Sequence, residues 1–403
     1  MHGSDDSTFN EVTMDRKKVA VLLPWLKMGG TNKIALNFMR ELSQYCDVTL
    51  ILSENSGELL PELPENIRLI VDEMEDFRDL VKEDLRALRV GAVFRDALYY
   101  AKVRRGKDGV DNYKYIVDRH GFISEEEFDC AISYHGQSPE RLLNLLYRIH
   151  AKKRVVWIHG EMSFPHKTID ELRKYYAGAD HFFFVSAATR DAFTKLFPFA
   201  GERATVYHNP IDRQEIVEKA KAPLPKPFSD QYANLLTVGR QSKEKGQDMV
   251  PAVTRALLDR GLAVRWYLIG DGPSRKHVET LIREYKVEEN VFLLGTQTNP
   301  YGYMRACDIY VQPSYTEGFS TTICEAGILG KAIVGTKPSG GIREQITDGE
   351  DGLIVDASVE GLTDGIARLI EDEALRHQFE DRIQNRDFEG KGEIEKFLRY
   401  LES

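Results

Sequence analysis

The sequence predicts two doubly wound α/β domains, each a parallel sheet covered by helices on both faces, opposed across a cleft. Three observations carry this expectation. Short apolar runs alternate with helix-periodic segments along most of the chain, and a parallel crossover needs such an intervening helix. The alternation breaks at Lys221-Ala222-Pro223-Leu224-Pro225-Lys226-Pro227, where three prolines in seven residues exclude a helix interior or a central strand. Beyond that break the same alternation restarts. The expected division is a polar leader over 1–16, an N-terminal domain over 17–208, a linker over 209–230, a C-terminal domain over 231–386 and a closing helix over 387–403.

The elements follow in order. Lys18 to Leu23 reads as a buried strand and Thr31 to Tyr45 as a helix, because Ile34, Phe38 and Leu42 recur at i, i+4 and i+8. Val48 to Leu52, Cys130 to Ile132, Val155 to Ile158, Phe182 to Val185 and Thr205 to Tyr207 complete the first sheet. The second sheet takes Asn234 to Val238, Val264 to Ile269, Val291 to Leu294, Ile309 to Gln312, Ala332 to Gly335 and Gly352 to Val355. At the end, Ile394, Phe397, Leu398 and Leu401 share one helical face, which must dock on something.

Composition narrows the function. With 54 Lys and Arg against 64 Asp and Glu, the 403-residue chain carries a net charge of −10, which argues against a dedicated nucleic-acid binder. Cys46, Cys130, Cys307 and Cys324 form no CxxC pair and no zinc spacing, so a reducing cytoplasm is expected. No apolar run approaches the roughly 20 residues of a membrane span, and the N-terminus has no signal-peptide pattern. One stretch is locally basic: 82–107 holds eight basic and three acidic residues, with Lys82, Arg86 and Arg89 on one helical face and Tyr99 and Tyr100 near Arg104 and Arg105. A basic amphipathic helix of this kind suits the surface of an anionic bilayer, a solvated charged helix being the plainer alternative.

Three segments carry residue types suited to chemistry. Gly29 and Gly30 lie between the first strand and its helix, where backbone N–H groups and the helix dipole favour an anion. They form no dinucleotide fingerprint, since GxGxxG is absent there, and Gly270-Asp271-Gly272-Pro273 reads as a structural turn. After the strand ending at Val238, Arg240 offers a bidentate fork and Lys245 a point charge, a pair that fits a diphosphate. Glu317 and Glu325 have seven residues between them, across a loop-to-helix junction that includes Gly318, Phe319, Ser320 and Thr321. With a helix starting near Ser320, Glu325 can accept hydrogen bonds from vicinal hydroxyls. Each segment alone also reads as a tight turn, a solvated loop or a capped helix.

Taken together and in order, these segments resemble the retaining glycosyltransferases of the glycogen-synthase-like type, glycosyltransferase family 4. Val206-Tyr207-His208-Asn209-Pro210-Ile211-Asp212 also resembles that family's interdomain Pro-Asn-Gly-hydrophobic-Asp segment, with Pro210 where Gly is usual. The resemblance spans residue 18 to about residue 385, is strongest over 235–356 and weakest over 60–125. It implies the GT-B fold of two Rossmann-like domains and a nucleotide-sugar donor, expected to be a UDP-sugar, with no other cofactor and no metal. Gly30 would approach the donor diphosphate with Arg240 and Lys245, and Glu325 would hold the ribose diol. Glu317 would sit by the donor sugar, with backbone N–H groups of Gly318, Phe319 and Ser320 on its hydroxyls. His159 matches the family's active-site histidine, and His135 points toward the same cleft. The absence of any Asp-x-Asp in the chain agrees with cationic side chains replacing a metal. The acceptor would be a glycan or a lipid-linked glycan at the inner face of a membrane. The competing readings are a nucleotide-sugar epimerase or hydrolase on the same fold, and a non-catalytic sugar-binding protein.

Overall fold

The structure, a computed structural model, describes residues 16–72, 86–87, 91, 94, 121–136, 138–160, 166–223, 228, 231–337, 340–390 and 392–403. The first sheet contains β1 (Lys18–Leu23), β2 (Asp47–Leu52), β3 (Arg68–Val71), β4 (Phe128–Ser133), β5 (Ala151–Ile158), β6 (His181–Phe184) and β7 (Ala204–Val206). The second contains β8 (Ala233–Val238), β9 (Val264–Ile269), β10 (Val291–Gly295), β11 (Ile309–Gln312), β12 (Ala332–Thr336) and β13 (Leu353–Val355). Their orders are β3-β2-β1-β4-β5-β6-β7 and β10-β9-β8-β11-β12-β13, and the pairings are parallel. Each order reverses once, between β1 and β4 and between β8 and β11. In such sheets ligands bind outside the carboxyl ends of the strands at that reversal.

Among the described residues, the first half includes α1 (Gly30–Leu42), α2 (Pro139–Tyr147), α3 (His166–Tyr176) and α4 (Ala187–Leu196). Next come α5 (Arg213–Lys219), α6 (Val250–Asp259), α7 (Arg275–Glu284), α8 (Tyr301–Ala306) and α9 (Thr321–Ile328). The chain closes with α10 (Ile342–Gln345), α11 (Val359–Glu371), α12 (Glu373–Ile383) and α13 (Glu393–Glu402). The alternation therefore predicts both sheets correctly, apart from the edge strand β3.

One expected segment needs correction. The stretch 209–230 is not linker throughout: Asp212 accepts from the Glu215 N–H at 2.9 Å and caps α5, whose Ile216 is buried. The cap supplies one of the helix's orphan N–H groups with a partner, which lets a seven-residue helix stand between the domains. The apolar face of the closing helix α13 docks by crossing back to the N-terminal domain. Phe397 meets Phe38 edge-on at 5.4 Å and packs 5.8 Å from Phe183, and the Lys153 ammonium donates to the Tyr400 carbonyl at 2.7 Å. Burying a Phe side chain of this kind contributes roughly 1.5–3 kcal/mol.

Most of the basic segment 82–107, including Arg104 and Arg105, lies outside the described residues. Among the described residues no helix is long and apolar enough to cross a membrane. The four cysteines are free and buried, and burial pushes the Cys46 thiol up to about 11 and Cys307 and Cys324 up to about 12.

Candidate active site between the domains

The candidate residues converge because they sit at the carboxyl ends of β1, β4, β5, β8 and β11. Gly29 caps α1 in extended backbone, and Gly30 opens the helix. A Cβ built on Gly30 would lie 3.3 Å from Thr321 Oγ1, in the first turn of α9 from the other domain. Two helix N-termini thus face each other across the cleft, each equivalent to about half a positive charge. That is a place for an anion.

Behind this junction, Lys33 of α1 donates to the Tyr301 hydroxyl at 2.5 Å, and Tyr301 donates to Glu325 Oε1 at 3.3 Å. Lys33 also pairs with Glu215 of α5 at 3.5 Å. Burial pushes the Glu325 carboxyl up to about 7, with Lys33 and the Tyr301 hydrogen bond pulling the other way. Lys33, Glu215 and Tyr301 were not singled out by the sequence reading. Lys33 lies one turn after Gly30 and could have been placed on the cleft-facing side of α1. Tyr301 carries no local signal.

On the C-terminal wall, the Lys245 ammonium sits 2.6 Å from Glu317 Oε2, which also accepts from Gln312 Nε2 at 3.2 Å and Ser314 Oγ at 3.4 Å. The Arg240 guanidinium is exposed and makes no hydrogen bond or ion pair among the described residues. The loop carrying both cations is held from behind. Gln241 N–H donates to the Asp271 carbonyl at 3.0 Å and Ser274 N–H to the Gln241 carbonyl at 2.9 Å. The turn at Gly270 is therefore a scaffold for this loop, as expected. Gly246, at φ +63, closes it where a Cβ would fall 2.0 Å from the Pro313 oxygen, a conformation and a spacing that require glycine.

The N-terminal wall presents two neutral imidazoles. One ring N–H of His159 bonds to the Tyr134 backbone, and His159 Nε2 is shielded from solvent with no hydrogen-bond partner among the described residues. Burial, and then His135, hold His159 down at about 3; burial and Arg141 hold His135 at about 4. The two ring centroids are 6.2 Å apart. The walls touch at Gly318, where a Cβ would lie 2.5 Å from the His159 carbonyl oxygen.

The expected trio of backbone donors is reduced. Ser320 N–H donates to Gln345 Oε1 at 3.1 Å, so it has a partner of its own. Gly318 and Phe319 N–H groups have none among the described residues. Phe319 packs against the His208 ring at 5.5 Å. His208 bridges Glu344 of α10 at 3.2 Å and Glu393 of α13 at 3.3 Å, and these hydrogen bonds raise it to about 9. Glu344 in turn accepts from Ala187 and Ala188 N–H at the start of α4. Among the described residues no group of three or more His, Cys, Asp or Glu is placed to hold a metal ion.

Comparison with known proteins fits this geometry. Residues 218–386 match the family model of the glycosyl transferases group 1. A relative in Campylobacter jejuni, N-acetylgalactosamine-N,N'-diacetylbacillosaminyl-diphospho-undecaprenol 4-alpha-N-acetylgalactosaminyltransferase, is 31% identical over 192 residues, 47% of this chain and 50% of the relative. N-acetyl-alpha-D-glucosaminyl L-malate synthase of Bacillus anthracis is 28% identical over 189 residues, 46% of this chain and 49% of its own. The chain spans about half the length of these curated relatives. Among solved structures, HepE of Anabaena, crystallised in complex with UDP and glucose, shares the fold with a TM-score of 0.72 at 16% identity, covering 96% of this chain and 100% of HepE. Residues 218–386 thus match the glycosyl transferases group 1, in a chain whose two parallel sheets share the GT-B fold seen in HepE.

Proposed function

We propose that the protein is a retaining, metal-independent glycosyltransferase. It moves a hexosyl or N-acetylhexosaminyl group from a nucleotide-sugar, a UDP-sugar by preference, to a glycan or lipid-linked acceptor in polysaccharide or glycolipid assembly. The single observation that carries this reading is the approach of the α1 and α9 N-termini from opposite domains, on a cleft whose C-terminal wall carries Arg240 and the Lys245–Glu317 pair. A diphosphate that gains charge as it leaves needs fixed positive potential on several sides.

In this reading the bond between the anomeric carbon and the β-phosphate oxygen breaks through an oxocarbenium-like state. The acceptor oxygen bonds to that carbon on the same face, and its proton passes to the departing phosphate. Arg240, Lys245 and the two helix ends stabilise the leaving group more as its charge grows, which is the condition for lowering the barrier. Glu325 holds the ribose diol, Glu317 the donor sugar, and neutral His159 offers Nε2 as a hydrogen-bond acceptor. The HepE structure with UDP and glucose, and the undecaprenol-linked name of the Campylobacter relative, support the donor and acceptor classes. The protein is placed in the cytoplasm, with 82–107 as its contact with the inner membrane face.

The test is incubation with a panel of nucleotide sugars and lipid-linked acceptors, with the anomeric configuration of the product read by NMR. A product of inverted configuration overturns retention. Release of free sugar at the same rate with and without every acceptor overturns transfer.

A further inference from the structure

We infer that Lys33 is a positioning residue for the donor ribose, acting from the N-terminal domain through Tyr301 on Glu325 of the opposite domain. The inference rests on the reading of Glu325 as the acceptor of the ribose diol.

The hydrogen-bond directions are forced by donor chemistry. An ammonium can only donate, so at 2.5 Å from Lys33 the Tyr301 oxygen must accept. The phenol's own proton is then free to point elsewhere, and Glu325 Oε1 lies 3.3 Å away. One carboxylate oxygen is thereby anchored, and Oε2 is left to accept from hydroxyls. Tyr301 is 1% exposed, so its ring cannot swing away without opening the core.

Lys33 also sets the charge of Glu325. The groups that act on this carboxyl are Lys33 from α1, Glu215 from α5 and Tyr301 from α8, while Tyr310 from β11 lies close enough to feel its charge. Asp212 acts on the Tyr301 hydroxyl. Lys33 is the only cation among them. Burial raises the carboxyl and Glu215 raises it further, leaving Lys33 as the charge that favours ionisation. Glu325, at about 7, is already partly protonated at neutral pH, and removing that charge moves its titration further up, so that most of it is protonated there. A protonated carboxyl has lost one acceptor site and gained a donor, so it no longer takes two diol protons together.

The experiment measures UDP affinity by calorimetric titration from pH 6 to pH 9 for the wild-type chain and for Lys33→Met, Lys33→Arg, Tyr301→Phe and Glu325→Gln, with circular dichroism as the check of folding. Lys33→Met should weaken UDP by about fivefold at pH 7, the fall in ionised Glu325 if its titration moves up by about one unit from about 7, and the loss should shrink toward pH 9. Lys33→Arg should restore most of the affinity. Tyr301→Phe should give a smaller loss that does not vary with pH, and Glu325→Gln should remove the pH dependence. If Lys33→Met binds UDP as well as wild type while Glu325→Gln does not, the inference falls and the ribose reading stands. A Lys33→Met loss that is constant across pH also overturns it. If Glu325→Gln binds UDP normally, both fall together.

Discussion

The two walls of the cleft are built at equivalent points of the same topology, yet they differ in charge. The C-terminal wall, at the ends of β8 and β11, carries Arg240 exposed and Lys245 paired with Glu317. The N-terminal wall, at the ends of β1, β4 and β5, presents a glycine pair and two imidazoles held neutral by burial. The difference separates two tasks. A diphosphate calls for formal charge and donors, whereas a sugar's hydroxyls need neutral acceptors in a space from which water is excluded. In the proposed reading the C-terminal wall supplies the formal charge for the diphosphate and also Glu317 for the sugar, while the N-terminal wall adds a helix end to the anion and neutral rings to the carbohydrate.

The strongest test of this division removes the charge. Arg240→Ala and Lys245→Ala should each lower kcat by about 10²–10³-fold, the usual cost of losing one preorganised stabiliser. Arg240→Lys should also fail substantially, because a point charge does not reproduce the fork. The double variant should be less than additive, since both groups act on one leaving group. Steady-state kinetics that moved only KM, with independent losses in the double, would reassign the pair to ground-state anchoring.

Next in size is Glu325→Ala, where the lost charge-assisted hydrogen bonds, at about 1.5–3 kcal/mol, correspond to a donor KM raised roughly 10- to 150-fold. Unchanged nucleotide affinity in a folded variant would take the ribose away from Glu325.

The histidines sharpen the contrast through pH. His135 and His159 have folded values below the ordinary 6.5. Their contribution to stability is present above that value and is lost as pH falls toward about 4 and about 3. His208 has the opposite sign. Raised to about 9, it contributes fully below 6.5 and loses its contribution as pH rises through about 9. Thermal unfolding between pH 5 and pH 10 should therefore show a flatter alkaline limb in His208→Gln and a flatter acid limb in His159→Asn. An alkaline limb identical to wild type in His208→Gln would mean that the bridge to Glu344 and Glu393 does not hold the charge.

The smallest expected effect is none. Excess EDTA should leave transfer intact if the cations of the C-terminal wall replace a metal; loss restored by Mg²⁺ would break that half of the comparison.

Much of this arrangement was legible in the sequence, for identifiable reasons. Both sheets follow from runs such as Lys18 to Leu23 and Val264 to Ile269, because strands buried on both faces need continuous apolar sequence. Arg240, Lys245, Glu317 and Glu325 were singled out because their segments, taken together and in order, resemble those of a known family, whereas each alone also reads as a solvated loop or a capped helix. The edge strand Arg68–Val71 was missed because it is only partly buried and shows no such run. Helix Arg213–Lys219 is too short to display an apolar stripe. Lys33 and Tyr301 stand 268 residues apart, and no local pattern signals a bond made only when the domains close on each other.

The return of α13 to the first domain has a consequence for synthesis. Residues are made in order, and the aromatic cluster of Phe38, Phe183 and Tyr207 receives its last rings from Phe397 and Tyr400, near the end of the described chain. The second domain can thus complete its own sheet while the first still waits. A nascent chain arrested after Gly390 should leave the N-terminal half open to protease and the C-terminal half resistant. The half that leaves the ribosome first is the half that is finished last.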